Sequence, residues 1–520
     1  DAPLVVGSAV APNLMFLLDD SGSMQWEVMP DENLYFSYYL FPFPDSVYGG
    51  LSYTEQVPTF EDNNIHNIFG RSPDNNAVFY NPQTDYHPWV NHTGTSFGNV
   101  DPTAAPYNPA HTDRGTLNLT AEQTLSAFWF RNTTNTNQNA AAYACVPPCN
   151  QTFRPITFYI YRGNGSRVSA ANYTKYQIRG TRAYRRDPVT AGEVEITSFT
   201  WPDGTTRTVA EETQNFANWF SYYRSRILAA RAGASIAFGQ LGTNYRVGFR
   251  TINGDGQLLI PTSGTFSGSN RETWFQRLLE TDIGTSGTPL RTALNWAGNY
   301  FENKTGNDDP WRQTGYAQPL TCRQSFTILT TDGYWSDVFA LNAIGNSDGT
   351  EGRPYRDNHR NTLADVAMHY YKRDLRTGIA DNVPTSARDS ANWQHMVTFG
   401  LSLGVSGTLD PATDLPALTA GTKSWPDPAD SSPAKLDDLW HATINGRGAF
   451  VNASDPQQFT DGLSAVLTDI SERVASSGNV TATSTSLTSN TLLFQSRFVG
   501  GNWTGDLVAT RINTDGTLAT

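Results

Sequence analysis

Three near-continuous apolar stretches set the strongest limit on how this chain folds: Leu14-Met-Phe-Leu-Leu, Phe326-Thr-Ile-Leu and Met396-Val-Thr-Phe-Gly-Leu-Ser-Leu. A strand that is apolar on both faces must be covered on both faces, which is the condition of a buried parallel sheet. The first run ends at Asp19 and the second just before Asp332; Tyr245-Arg-Val-Gly-Phe-Arg and Gly448-Ala-Phe-Val are shorter candidates. Between them apolar residues recur every three or four positions, the period of a helix face. Examples are Trp274, Phe275, Leu278 and Leu279; Leu290, Leu294 and Ala297; Leu363, Val366 and Tyr370. A last helix carries Phe459, Leu463, Leu467, Ile470 and Val474, with Asp455 as N-cap and Pro456 at its first position. Strands alternating with helices over 245–475 predict an α/β fold with an open, mostly parallel sheet.

The first strand lies far from the rest. Roughly 190 residues separate it from a helix predicted over 213–238, which carries Phe216, Trp219, Phe220, Tyr223 and Ile227. The intervening stretch lacks the alternation and is too long for a structureless loop. Phe158-Tyr-Ile-Tyr and Val194-Glu-Ile-Thr-Ser-Phe-Thr-Trp read as strands, so 24–212 is expected to be an irregular or β-rich insertion. Within it the aromatic run Tyr35-Phe-Ser-Tyr-Tyr-Leu-Phe-Pro-Phe-Pro is expected to pack under the parent domain rather than serve as an adhesive patch. The α/β unit would then comprise 1–23 and 213–475, followed by a Ser/Thr-rich linker at 476–489. Thr491-Leu-Leu-Phe-Gln-Ser-Arg-Phe and Asp506-Leu-Val-Ala-Thr-Arg-Ile read as strands around a Gly-rich turn. Residues 490–520 are therefore expected to begin a further β domain.

Composition closes off several classes. No apolar run approaches the length of a transmembrane helix. A net charge of −13 disfavours a duplex nucleic-acid binder. No G-x-S-x-G elbow, phosphate-binding P-loop or HExxH helix is present, and the expectation is a binding protein, not an enzyme. The chain opens at Asp1 without a basic, apolar leader, as expected of a secreted protein whose signal has been removed or of a trimmed segment. Of three cysteines, Cys145 and Cys149 bracket Val-Pro-Pro and are read as a local disulfide, with a metal site as the other reading; Cys322 is left over. His66, His87, His92 and His111 match no zinc spacing, and His395 reads as a satisfied near-core histidine. Asn253-Gly-Asp-Gly and Asn513-Thr-Asp-Gly are better turns than calcium loops.

The residues that carry chemistry follow the first strand: Asp19-Asp20-Ser21-Gly22-Ser23. Ligands of open α/β sheets sit beyond the carboxyl ends of strands. Asp19, Ser21 and Ser23 offer a carboxylate and two hydroxyls at D-x-S-x-S spacing, Thr288 sits in Gly284-Thr-Ser-Gly-Thr-Pro-Leu before a helix, and Asp332 ends the second apolar strand. Such an oxygen set suits a hard divalent cation, Mg²⁺ first, with Mn²⁺ or Ca²⁺ as alternatives. An octahedral site of this kind keeps an open position for a partner carboxylate.

This constellation resembles the metal-ion-dependent adhesion site of von Willebrand factor A domains, in the family's order, and the core resembles that Rossmann-like family. Further segments resemble PilY/PilC-type proteins, bacterial adhesins associated with the tip of type IV pili. They are Val78-Phe-Tyr with Asn81-Pro-Gln-Thr-Asp-Tyr-His-Pro-Trp, Asn215-Phe-Ala-Asn-Trp-Phe-Ser-Tyr-Tyr-Arg-Ser-Arg, Thr362-Leu-Ala-Asp-Val-Ala-Met-His-Tyr-Tyr, Gln394-His-Met-Val-Thr-Phe-Gly-Leu, Asp437-Asp-Leu-Trp-His-Ala-Thr-Ile-Asn-Gly-Arg-Gly, and Phe494-Gln-Ser-Arg-Phe with Trp503-Thr-Gly-Asp-Leu. The resemblance is weakest over 90–200. It implies a modular protein at the pilus tip on the cell surface, periplasmic in transit. The metal-bearing region would engage an acidic group of a host-cell or abiotic surface. The last segment would enter a C-terminal β-propeller, through which the minor pilins or pilus tip are met and where the family's calcium loop lies. A structural role, force-bearing or priming pilus assembly, is the alternative.

Overall fold

A computed structural model of the chain describes residues 10–31, 39–49, 56–132, 142–337, 344–476, 481–482, 492–499 and 504–511. Five strands form the central sheet: β1 (Asn13–Leu18), β2 (Arg246–Thr251), β3 (Ser325–Thr331), β4 (Val397–Leu403) and β5 (Arg447–Ala453). Their order is β2-β1-β3-β4-β5 and every pair is parallel. The expected fold class, α/β with a mostly parallel sheet flanked by helices, is the one observed.

The apolar runs fall where both faces are covered. Every residue of β1 is buried, and its side chains alternate between two cores. Leu14, Phe16 and Leu18 face one, which also contains Phe216, Ile227, Trp274 and Phe459. Met15 and Leu17 face the other, with Leu290, Leu294, Leu363, Val366 and Leu439. On the first face lie α1 (Val209–Tyr222), α2 (Arg226–Gln240), α3 (Gly268–Glu280) and α7 (Pro456–Ser476); on the second lie α4 (Leu290–Asn303), α5 (Leu363–Tyr371) and α6 (Ser432–Asn445). Helix starts are locally encoded. Thr208 and Glu211 form a capping box on α1, as do Thr362 and Asp365 on α5. The Asp455 carboxylate accepts the Gln458 N–H at 2.9 Å, the N-cap expected before Pro456.

The single helix predicted over 213–238 is two helices. It starts earlier, at Val209, and breaks at Tyr223-Arg224-Ser225. There the Arg224 side chain turns inward, donating to the Phe220 carbonyl and to the Glu27 carboxylate at 2.6 Å, with both charged groups fully buried. Glu27 also accepts the N–H groups of Leu40 and Phe41, which fixes the chain as it leaves the sheet.

Among the described residues, 24–212 add no strand to the central sheet. They build a four-stranded antiparallel sheet ordered Val194–Ile196, Arg182–Arg186, Tyr173–Arg179, Thr157–Tyr161, and a second sheet around Gln123–Arg131. Their aromatic residues continue the first core: Tyr80 and Phe79 pack on Trp219, and the Trp219 indole donates to the Val78 carbonyl. Tyr39, Leu40 and Phe41 are buried, the packed state expected of that aromatic run; its residues 35–38 lie outside the described residues. Cys145 and Cys149 are joined by a disulfide, and Cys322 is a half-buried thiol. Leu492–Val499 and Thr504–Arg511 form an antiparallel pair with Thr481–Ala482 beside it; most of 477–491 and the Asn513 turn lie outside the described residues. Among the described residues no helix is long and apolar enough to cross a membrane.

Candidate metal centre

The strand order turns back on itself at β1. Chain progression runs outward to β2 on one side and to β3 on the other, so the crevice beyond the carboxyl ends of β1 and β3 is the topological switch point, the place where such sheets bind ligands. The register pairs Leu17 with Leu329, so Asp19 and Asp332 leave the sheet side by side.

The two carboxylates are fully buried and share a ring of donors. Asp19 Oδ1 accepts the Ser21 N–H at 2.7 Å, and its Oδ2 accepts the Thr331 hydroxyl at 2.8 Å and the Asp332 N–H at 3.3 Å. Asp332 Oδ1 accepts the Ser23 hydroxyl at 2.8 Å and that of Ser21 at 3.4 Å, and the two serine hydroxyls stand 3.1 Å apart. Instead of entering a long helix, the Ser21–Ser23 segment makes one 3-10 turn, Gly22–Gln25. Burial, reinforced by the Asp332 charge, pushes the Asp19 carboxyl up to about 7. Burial also raises Asp332, against the opposing pull of Arg226.

The loop 284–288 closes over this turn. The Gly22 N–H donates to the Ser286 carbonyl at 3.0 Å, and Gln25 Nε2 donates to the Gly284 carbonyl at 2.9 Å. A Cβ on Gly22 would stand 3.3 Å from Thr285 Cα, so the close approach favours glycine. Thr288 is buried on this loop, its N–H bonded to the Ser336 hydroxyl at 2.9 Å. Direct hydrogen bonds thus unite Asp19, Ser21, Ser23 and Asp332, whereas Thr288 joins them through its loop. Asp20 faces away and accepts the Asn253 backbone and side-chain N–H groups at 3.0 and 2.9 Å, which binds the Asn253-Gly-Asp-Gly turn to the sheet edge.

One component was not foreseen from the sequence. Arg226, fully buried at the start of α2, donates to Asp332 Oδ2 at 3.0 Å, to Asp31 Oδ1 at 2.6 Å and to the Val28 carbonyl at 2.7 Å. One oxygen of Asp332 therefore already faces a guanidinium. The donor set still fits a hard cation. Asp19, Asp332 and Asp31 bring three carboxylates against one Arg226. The Ser23 hydroxyl donates its proton to Asp332, which leaves oxygen lone pairs for a cation, whereas the Thr331 hydroxyl, donating to Asp19 and accepting the Gly333 N–H, serves to orient Asp19.

A cavity of about 640 Å³ opens between the insertion and the ends of β4 and β5; it reaches Pro30, next to Asp31 in the chain, and none of Asp19, Ser21, Ser23, Thr288 and Asp332 lines it. Its lining includes Pro30, Asp74, Asp85, Tyr86, Val405 and Asp455 and no basic side chain among the described residues. Ligands of organic size occupy cavities of this volume.

Comparison with known proteins gives a consistent relation. The chain is 28% identical to the type IV pilus biogenesis factor PilY1 of Pseudomonas aeruginosa strain PAK, with 98% of this chain covered. It is 30% identical to PilY1 of strain PAO1 over 98% of the chain, and 29% identical to that of strain UCBPP-PA14 over 100%. The alignments cover 43% of each relative, so the chain spans less than half their length. No family model matches the chain. The resemblance to PilY-type pilus factors read from the sequence holds along the whole chain, including the insertion.

Proposed function

We propose that this chain is the surface-binding portion of a type IV pilus factor and that it works by binding, not by catalysis. Asp19, Ser21, Ser23, Thr288 and Asp332 would hold a divalent cation, Mg²⁺ first and Mn²⁺ or Ca²⁺ as alternatives, in the manner of a von Willebrand factor A adhesion site. A bound cation would supply a Lewis-acidic position for a carboxylate of a host-cell or abiotic surface ligand. The chain's own part is to fix that position: Ser21 and Ser23 orient Asp332, Thr331 orients Asp19, and the 284–288 loop covers the turn. The neighbouring cavity carries Asp74, Asp85 and Asp455 and offers an acidic ligand no counter-charge, so the attraction must come from the cation. The insertion lines that cavity and would set specificity. Location at the pilus tip outside the cell, passage through the periplasm, and attachment to minor pilins through a further domain belong to the same reading. The observation that carries it is the pairing of two buried carboxylates at the switch point, Asp332 with the serine hydroxyls and Asp19 with that of Thr331.

The test is a thermal melt with EDTA and then Mg²⁺, Mn²⁺ or Ca²⁺, for the wild type and Asp332→Asn, followed by adhesion of piliated cells carrying each form. A ligand held only by the native state stabilises by about 2.7 kcal/mol at a hundred times its Kd. A metal-dependent rise and adhesion, both lost in the folded variant, are expected; unchanged adhesion by that variant overturns the mechanism. Arg226 favours a second reading, in which the cluster is a structural brace of an assembly-priming or load-bearing module. Normal adhesion with fewer pili in the variant would select it.

A further inference from the structure

A second cluster lies on the opposite core face, where the segment between β3 and α5 passes against α6. Asp348 and Asp357 come from that segment and His441 from the helix; their ligand atoms all lie within 4.8 Å of one another. His441 is 1% exposed and its ring stacks on Trp425, with centroids 4.1 Å apart and planes within 10°. Its Nε2 lies 2.6 Å from the Tyr355 carbonyl oxygen and must donate to it. The other nitrogen, Nδ1, has no hydrogen-bond partner among the described residues and faces Asp357 Oδ2 at 3.4 Å, while Asp348 Oδ2 lies on the other side of the ring, 3.6 Å from Nε2. A neutral ring in this tautomer sets a lone pair against a carboxylate in a buried place, an arrangement that something positive must resolve.

The surroundings match a metal ligand set. A ligating histidine ordinarily gives its second N–H to a carbonyl or carboxylate, which fixes ring and tautomer; Tyr355 does this here. Two atoms bound at about 2.0–2.1 Å to one tetrahedral ion stand about 3.3 Å apart, close to the Nδ1–Asp357 separation. The carboxylates are themselves oriented: Asp357 Oδ1 accepts the His359 N–H at 2.8 Å, while Asp348 accepts Asn445 Nδ2 at 2.8 Å and the Asp357 N–H at 3.3 Å. A cavity of about 340 Å³ lined by Arg356, Asp357, His359 and Trp425 gives a way in.

We propose that Asp348, Asp357 and His441 form a second metal site, selective for a borderline divalent ion of the zinc class and independent of the Asp19–Asp332 cluster. One imidazole with two carboxylates suits such ions better than Mg²⁺, which takes oxygen ligands alone. The ion would tie the β3–α5 segment to α6.

The experiment uses the whole chain, stripped with EDTA and titrated with Co²⁺, whose tetrahedral complexes absorb in the visible. The expected result is one equivalent of Co²⁺ with tetrahedral bands, displaced by Zn²⁺ and not by Mg²⁺. Asp357→Asn and His441→Gln should weaken Co²⁺ at least about tenfold, and Asp19→Asn should leave the spectrum unchanged. If His441→Gln fails to fold, Asp357→Asn decides, with circular dichroism as the check of its fold. Absence of bands in the folded wild type, or bands that survive in Asp357→Asn, overturns the site. Bands lost in Asp19→Asn overturn its independence.

Discussion

At the ends of β1 and β3, Asp19 and Asp332 face serine and threonine hydroxyls and the guanidinium of Arg226. Between β3 and α5, Asp348 and Asp357 face the imidazole of His441. Both clusters withdraw carboxylates from water, Asp19, Asp332 and Asp348 fully and Asp357 in part, and both set positive charge or its equivalent against them. The first receives part of it from a side chain that never deprotonates in proteins. The second faces imidazole instead, His441 against both carboxylates with His359 also near Asp357. The ligand types differ in the same sense: hydroxyls select hard ions, imidazole borderline ones. Fixed and exchangeable cations are thus alternative solutions to one desolvation cost, and this molecule carries both.

The largest expected effect comes from removing the fixed charge. Arg226→Met should destabilise the metal-free protein by about 3–5 kcal/mol, because it leaves Asp332 buried without its counter-ion. Chemical denaturation in EDTA checks this, and Mg²⁺ should recover more stability in the variant than in the wild type. A variant as stable as the wild type in EDTA would mean that Arg226 is not what holds the first cluster together.

A smaller effect follows from pH. Asp19 binds its proton more tightly folded than unfolded, since its carboxyl is pushed up to about 7 from 3.8. The stability it contributes is therefore greatest near pH 4, declines as pH rises toward about 7 and is flat beyond. Asp348, pushed by burial up to about 6, acts in the same direction over a narrower window. The stability of the wild type relative to Asp19→Asn in EDTA should fall between pH 4 and 7. A flat or rising difference would show that Asp19 is ionised as easily as a surface carboxylate.

The smallest change is expected at Thr288. Its loop joins it to the other ligands. Thr288→Ala should cost about 1 kcal/mol or less of stability and weaken Mg²⁺ by about tenfold or less, read by calorimetric titration. A total loss of Mg²⁺ binding would promote Thr288 to an essential ligand.

The elements of the sheet were legible because burial on both faces writes itself as an apolar run. Leu14–Leu18, Phe326–Leu329 and Val397–Leu403 needed no tertiary information. The insertion was recognisable only as a break in that pattern. Its strands, such as Gln123–Arg131, alternate weakly, and their pairing depends on partners distant in the chain. In the site, the D-x-S-x-S spacing and Asp332 were visible because both follow apolar strands. Arg226 was not, since it reads as one polar residue in an apolar helix and its partner is 106 positions away. His441 was hidden in the same way: it sits in the helix segment Asp437–Asn445, and nothing local shows that Asp348 and Asp357 come to meet it.

The position of β1 has a consequence for how the molecule forms. Asn13 is matched with Arg246 on one side and Ser325 on the other, so β1 has no partner nearby in sequence. Closing such long loops delays pairing, and contacts of this range form late. The sheet of 157–196 pairs consecutive strands and can assemble from neighbours, whereas β1 must find both partners across long stretches of chain and enters late, as a keystone. Asp19 is carried on its end. The carboxyl-edge cluster therefore comes into existence only at a late step of folding, and any event that withdraws β1 dismantles it first.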